Sequence, residues 1–290
     1  MQYPTVHTKL AVLLGNPLEH TLSPVMHNHV FKKLDMDCIY FPVEVTAENL
    51  KTVFSGLTRM NMLGFNVTMP HKMNIISLLD DIDPLTAAIG AVNTICLERG
   101  RTKGYNTDGE GFVTAIEQDL KQSVAQKKVF ILGCGGAARS IAMTLASKGC
   151  EKIFLCNRTI SKAEALSADI NKVFEDCSSV VPRELPPMGE VLPACDLLIN
   201  TTSIGMHPYA DNMPLDESLL FKGLAVADIV YNPLETLLLK AANKIGCSVV
   251  NGLGMLVYQG AKAFKLWTGV DPPVHEMFEV LQSVIASPHG

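Results

Sequence analysis

Short apolar runs alternate along the chain with longer segments in which apolar residues recur every three or four positions. "KLAVLLG" precedes "SPVMHNHVFKKL", and "CIYFPVEV" precedes "TAENLKTVFSGL". Further on, "KKVFILG" precedes "AARSIAMTLASKG" and "KIFLCN" precedes "SKAEALSADI", and then "DLLIN", "LAVADIV", "ETLLLKAANKIG" and "SVVN" continue the rhythm. The runs have the length of buried strands and the longer segments the period of amphipathic helices. The pattern predicts α/β architecture, with parallel sheets covered by helices on both faces. Turn residues in "GYNTDGEGF", followed by a fresh strand–glycine–helix unit, set a boundary near residue 109, and "NGLGM" after "CSVV" marks a second. Residues 1–109 thus make one domain and 110–251 another. Residues 252–290, with the last predicted helix "MLVYQGAKAFKLW", pack back on the first. The Pro-rich "VVPRELPPMGEVLP" reads as a surface connection.

The stretch "NVTMPHK", Asn66 to Lys72, lies between two apolar runs. Pro70 suits the first turn of a helix, where its missing N–H would be unpaired anyway. A helix opening there puts Lys72 at the positive end of the macrodipole, the wrong end for a cation. Either the lysine is merely exposed, or its charge is wanted at this spot.

The 290 residues are 48% apolar and 18% charged, a globular rather than a disordered composition. The net charge of −5 gives no bulk attraction to nucleic acid or an acidic membrane. No apolar run approaches the ~20 residues a bilayer crossing needs. Eight cysteines include no C-x-x-C pair. Cys134, Cys150 and Cys156 stand in apolar or glycine-rich surroundings and read as reduced thiols of a cytoplasmic protein. "MQYPTVHTKL" lacks a signal peptide's apolar core.

Gly133, Gly135 and Ala138 fit G-x-G-x-x-A between a strand and a helix. The first glycine permits a tight turn, the second lets backbone approach a pyrophosphate, and the alanine lets helix and strand sit close. N–H groups at the helix start would face the phosphates. The plainer alternative is a tight turn with no ligand. The next strand ends in Asn157 and Arg158, where NAD sites carry an Asp or Glu for the ribose 2′-hydroxyl. Arg158 can pair with a 2′-phosphate and stack on adenine. Asn157 and Thr159 offer hydrogen bonds, and Lys162 adds charge. These residues favour NADP, against a bare solvated patch.

Four polar clusters lie among apolar surroundings before residue 110: Thr21 and Ser23 in "HTLSP", Asn66, Thr68 and Lys72 in "NVTMPHK", Asn93 in "GAVNT", and Asn106 and Asp108 in "NTDG". Each follows a strand-like run or sits in a turn, where ligand sites of open α/β sheets lie. Hydroxyls, amides, one lysine and one aspartate suit a polyhydroxylated small molecule. Singly, each has a structural reading: Ser23, or Thr68 ahead of Pro70, as an N-cap, Asp108 as a cap, and Thr107 with Glu110 as a capping box. His27 and His29 do not share a helix face. No H-E-x-x-H motif, Cys/His set or G-x-S-x-G elbow occurs, so no metal is expected. His20 and His71 flank polar clusters and are given no chemistry.

These clusters, in this order, resemble the shikimate dehydrogenase family, including its quinate/shikimate branch. "HTLSP", "NVTMPHK", "GAVNT", "NTDG", "GCGGA", "NRT", "NTTSIGM", "DIVYNPLET" and "GLGMLVYQGAKAF" carry the resemblance over nearly the whole chain. It implies an N-terminal α/β substrate domain, a doubly wound Rossmann domain for NADP, and a C-terminal helix returning to the first domain. It implies reversible NADPH-dependent reduction of 3-dehydroshikimate to shikimate, a step of aromatic amino-acid (chorismate) biosynthesis. Lys72 and Asp108 become the catalytic pair. Thr21 and Ser23 hold the substrate carboxylate, with Tyr231 nearby, and Asn66, Thr68, Asn93 and Gln259 contact ring hydroxyls. Gly136, Ala137, Thr201, Ile229, Gly252 and Met255 join the cofactor residues above. Two positions depart from the family. Thr21 stands where Ser is usual, and its methyl narrows the pocket. Lys162 stands where many NADP-dependent members have Arg, losing the bidentate fork and weakening the preference for NADP. Oligomeric state is not legible, and a homodimer stays open.

Reducing a ketone needs hydride at carbon and a proton at oxygen, from a donor within ~3 Å. Lys72 is that donor on this reading, oriented by Asp108, and the helix start beside it would keep its proton available. A cleft between the domains, helped by the Gly252–Gly254 turn, would close and exclude water. The rivals are a quinate-preferring enzyme with NAD, a sensor of the same ligands without turnover, and a folate-linked dehydrogenase of the same plan.

Overall fold

The computed structural model describes residues 3–19 and 21–286, so His20 lies outside the described residues. Residues up to Thr107, joined by those from Gln259 onward, form one compact unit, and Asp108–Tyr258 form a second.

The first unit runs through β1 (Lys9–Gly15), α1 (Ser23–Lys33), β2 (Cys38–Glu44), α2 (Leu50–Leu57), β3 (Met62–Val67), β4 (Asp81–Ile82), α3 (Pro84–Ile89), β5 (Thr94–Glu98) and β6 (Arg101–Tyr105). Its sheet has the order β2-β1-β3-β5-β6-β4. β1 is parallel to β2 and β3, but β5 is antiparallel to both β3 and β6. This sheet is therefore mixed, not the parallel sheet the alternation predicts. The cause is local. Arg99 and Gly100 both take left-handed backbone, with φ 53° and 79°. Such a two-residue turn matches the twist of its flanking strands and brings β6 straight back beside β5. Leu14, Phe65, Val92 and Ile95 form a core with Phe54 of α2, whose ring lies 5.1 Å from that of Phe65.

The second unit runs through α4 (Asp108–Leu120), β7 (Lys128–Leu132), α5 (Gly136–Ser147), β8 (Lys152–Cys156), α6 (Ile160–Val173), β9 (Ser178–Val180), α7 (Leu185–Val191), β10 (Leu197–Asn200), β11 (Ala225–Asp228), α8 (Leu237–Ile245) and β12 (Ser248–Val250). Its strands are all parallel in the order β12-β11-β10-β7-β8-β9. Val129, Phe130 and Ile131 of β7 are wholly buried, as in a strand covered on both faces. The strand order reverses between β7 and β10, the point beyond which doubly wound sheets bind ligands. The Pro-rich stretch is not only a connection. It folds into α7, whose first turn accepts Pro186.

α9 (Gly252–Thr268) begins in the second unit and ends in the first. It is not the last helix. α10 (Val274–Ile285) follows and packs on α1, where Glu276 meets His29 at 3.1 Å and Lys33 at 2.7 Å. All eight cysteines are free. No helix among the described residues is long and apolar enough to cross a membrane.

α1, β2 and the end of α9 enclose His27. Its ring stacks on Tyr40 at 4.6 Å and lies 5.3 Å from Trp267, and neither ring nitrogen has a partner. Burial holds its pKa down to about 3. The unfolded chain takes up this proton near pH ~6.5, the folded chain only far lower. The contribution is therefore full above that pH and lost as pH falls through the window. Between about pH 7 and about pH 4 the wild type should lose about 3 kcal/mol more stability than His27→Leu. Urea unfolding at the two pH values checks this, and equal losses refute it.

Candidate functional site

The polar clusters of the first unit meet at one end of its sheet. β1 and β3 are parallel, so Gly15 and Val67 end together. The segment after Gly15 leads to Thr21 and Ser23, and Thr68 follows Val67 directly. Because β5 is antiparallel, its first residue, Thr94, pairs with Asn66 on one side and Tyr105 on the other. Asn93, Asn106 and Thr107 thereby arrive at the same end. Gly15 keeps β1 close to Thr68, since a Cβ there would run into the Thr68 methyl.

These side chains form a nearly closed network. Asn66 Nδ2 donates to Asn93 O at 3.1 Å and to Thr94 Oγ1 at 3.0 Å. The Tyr40 hydroxyl donates to Asn66 Oδ1 at 2.9 Å. Asn93 Oδ1 accepts from Thr107 N at 2.7 Å and from Thr94 Oγ1 at 3.1 Å, and Asn93 Nδ2 donates to Thr107 Oγ1 at 3.0 Å. Ser23 lies beside the Tyr40 phenol and acts to lower its pKa, against the larger effect of burial. Burial pushes that phenol well above its ordinary range, so Tyr40 is a neutral donor. The sequence reading missed Tyr40 and Thr94, which lie in strand-like runs and pass for ordinary core.

Three local readings need correction. Ser23 is not the N-cap of α1. Leu22 is, without a side-chain bond, and Ser23 is the first helical residue. Pro70 opens no helix, and Thr68 caps none. Met69–Pro70 is a cis peptide, His71 N donates to Thr68 O at 2.9 Å to close a turn, and Lys72 O accepts from Val92 N at 2.8 Å. Only a 3-10 turn, Asn74–Leu78, follows. The Lys72 carbonyl is thus taken up by the loop that carries Asn93, and the helix-dipole account of this lysine falls away. Lys72 and Thr68 are half-buried. His71 is wholly buried, and its Nε2 donates to Val45 O at 2.6 Å. Gln259 lies half-buried on the part of α9 that belongs to this unit.

In the second unit Gly133 has φ 99°, which favours glycine, and a Cβ there would lie 2.6 Å from Thr201 Oγ1. Thr201 Oγ1 donates to Leu132 O at 2.7 Å, which seats Thr201 against this turn at the end of β7. α5 starts at Gly136, and the space a Cβ would take at Gly135 or Gly136 is open. Backbone N–H groups of Gly136 and Ala137 thus stand at an accessible helix start. Ala138 is wholly buried, as close helix–strand packing requires. After β8, Asn157 Nδ2 donates to Thr159 O at 2.8 Å. Arg158 and Lys162 are exposed, and among the described residues neither is paired with a carboxylate. Beyond β11, Gly252 N donates to Val230 O at 3.0 Å, and a Cβ on Gly252 would run into the Ile229 carbonyl. Met255 lies half-buried in the first turn of α9. Burial raises the Tyr231 phenol above its ordinary value. Asp108 opens α4, nearly buried, and Gly109 beside it packs on α5 at Ser140 and Thr144.

Residues 13–95 match the family model described as the shikimate dehydrogenase substrate binding domain. Residues 115–213 match shikimate / quinate 5-dehydrogenase, and 252–282 match the shikimate 5'-dehydrogenase C-terminal domain. A shikimate dehydrogenase (NADP(+)) of Geobacillus sp. (strain WCH70) is 44% identical over 273 residues, spanning 94% of this chain and 97% of that one. The chain belongs to the shikimate dehydrogenase family. A shikimate dehydrogenase crystallised in complex with NADP+ is 41% identical, covers 98% of both chains and superposes with a TM-score of 0.92. The shikimate 5-dehydrogenase of Thermus thermophilus, in complex with NADP(H) and shikimate, is 33% identical. It covers 95% of this chain and 99% of its own, with a TM-score of 0.85. The two-unit α/β plan described above is the plan of this family.

Proposed function

We propose that this chain catalyses the reversible NADPH-dependent reduction of 3-dehydroshikimate to shikimate. Family membership and the activity named for its relatives support the reading. The observation on this chain that carries it is the meeting of hydroxyls, amides and Lys72 at one end of the first sheet, an arrangement suited to a ring bearing several hydroxyls. The first unit binds the substrate and the second binds NADP. The second unit fits NADP by its own geometry. It has an open glycine turn at a helix start, and among the described residues no carboxylate pairs with Arg158 or Lys162 after β8.

When bound, NADPH supplies the hydride. The remaining work belongs to the protein. Thr21 and Ser23 hold the substrate carboxylate by their hydroxyls, with Tyr231 nearby. Asn66, Thr68, Asn93 and Gln259 meet ring hydroxyls and set the ring's orientation. Lys72 delivers a proton to the carbonyl oxygen, and Asp108 orients the ammonium. In reverse the pair removes the proton of the C3 hydroxyl. The enzyme works in the cytoplasm.

Steady-state rates with shikimate and quinate, each against NADP+ and NAD+, test the reading. Shikimate with NADP+ should give the highest kcat/KM, by about tenfold or more over every other pairing. A preference for quinate with NAD+, or no turnover at all, overturns it.

A further inference from the structure

Asp228, the last residue of β11, carries a carboxylate that none of these steps uses. It is 1% exposed. Its Oδ1 accepts from Asn200 Nδ2 at 3.0 Å and from Val230 N at 3.1 Å, and its Oδ2 accepts from Thr236 Oγ1 at 2.8 Å. Each donor belongs to a different piece of chain at the ligand end of the sheet. Asn200 ends β10 and governs the loop that starts with Thr201. Its Oδ1 accepts from Thr202 N at 3.1 Å and Thr202 Oγ1 at 2.7 Å, and its Nδ2 also reaches Ile204 O at 3.1 Å. Val230 lies between Ile229 and Tyr231. Thr236 caps α8, its Oγ1 accepting from Leu239 N at 3.3 Å. Gly205, with φ 103°, lets the first loop lie over Thr236 and Asp228.

Burial pushes the carboxyl up to about 6, although its three donors act to lower it. A buried anion that costs stability is weak evidence of a stabilising role, and fixing one arrangement among several is the use such groups serve best. A dinucleotide spans the point where strand order reverses. Arg158 and Lys162 follow β8 on one side of that point, so the nicotinamide half belongs over β10 and β11 on the other.

We infer that Asp228 is the positioning residue of the nicotinamide half of the cofactor site, holding Thr201, Ile229 and Tyr231 in one arrangement. The inference rests on the NADP reading. Isothermal titration of the full chain with NADP+, and with 2′,5′-ADP as a probe of the adenosine half alone, tests it. Asp228→Ala should bind NADP+ about tenfold more weakly, with 2′,5′-ADP affinity within about twofold of wild type. Asp228→Asn keeps an oxygen for Asn200 and Val230 and should recover affinity to within about threefold of wild type. Should Asp228→Ala not fold, Thr236→Val, which removes one of the three ties, should shift the same ratio in the same direction. Unchanged NADP+ affinity, equal weakening of both ligands, or no recovery in the Asn variant each overturn the inference. A wild type that binds neither ligand sinks the NADP reading itself.

Discussion

Lys72→Ala is expected to lower kcat by about 10²–10⁴-fold, while the dissociation constant for shikimate rises by less than about tenfold. Lys72 is the cation of the polar end of the first sheet, and its backbone is fixed there by the bond from Val92 N to its carbonyl. In the proposed mechanism Lys72 is the proton donor, and removing it costs an interaction made in the transition state, so the loss falls on turnover. Lys72→Arg should be about as inactive. It keeps the charge, but a guanidinium does not give up its proton near neutrality. Steady-state kinetics with equilibrium shikimate binding separates the two quantities. Near-normal turnover in either variant removes Lys72 from the acid–base role.

The second large effect is expected from one methyl group. In Gly109→Ala the new Cβ would overlap Thr144 Oγ1 and lie 2.5 Å from Ser140 O. The serine carbonyl is helix backbone and cannot swing aside, so α4 must move off α5. That movement carries Asp108, the neighbouring residue and first of α4, away from α5, whose glycine-rich start is the proposed cofactor site. A displacement of about 1 Å at a reacting group costs about 10²-fold in rate, and overpacking adds about 1–3 kcal/mol of destabilisation. Gly56→Ala is the control, since a Cβ there meets nothing within 4 Å. Thermal unfolding and kcat should both fall for Gly109→Ala and stay unchanged for Gly56→Ala. An unchanged kcat in Gly109→Ala breaks the link between this packing and the position of Asp108.

The second unit is the more legible in sequence, for a physical reason. Parallel strands buried on both faces are continuous apolar runs, and "KKVFILG" or "DLLIN" cannot be much else. The first unit hides its antiparallel hairpin because "RTKGY" carries little apolar signal and its turn, Arg99–Gly100, is not one of the strongest turn pairs. Pro70 misleads because proline suits a tight turn as well as a helix start, and only the partners of the surrounding backbone decide between them. Tyr40 and Asp228 escape notice for a common reason. Each sits in a strand, Tyr40 within β2 and Asp228 at the end of β11, where a polar atom among apolar residues looks incidental until its partners, distant in sequence, are known. Lys72 and Asn93 are picked out because they interrupt apolar surroundings in turns, where side chains have fewer structural duties, and Asn66 because it breaks the apolar run of β3 one residue before its end.

The hydrogen bond from Tyr40 to Asn66 has a consequence for what can enter the first unit. Asn66 has two amide hydrogens, and both are already given to Asn93 O and Thr94 Oγ1. One lone pair of its oxygen is taken by Tyr40. A single acceptor position is left. A hydroxyl brought against it supplies the missing hydrogen, whereas a ketone or ether oxygen meets only lone pairs. The side chain therefore sorts ligands by the direction of a hydrogen bond rather than by size. A ring bearing one ketone among several hydroxyls is thereby denied the orientation that turns its ketone toward Asn66.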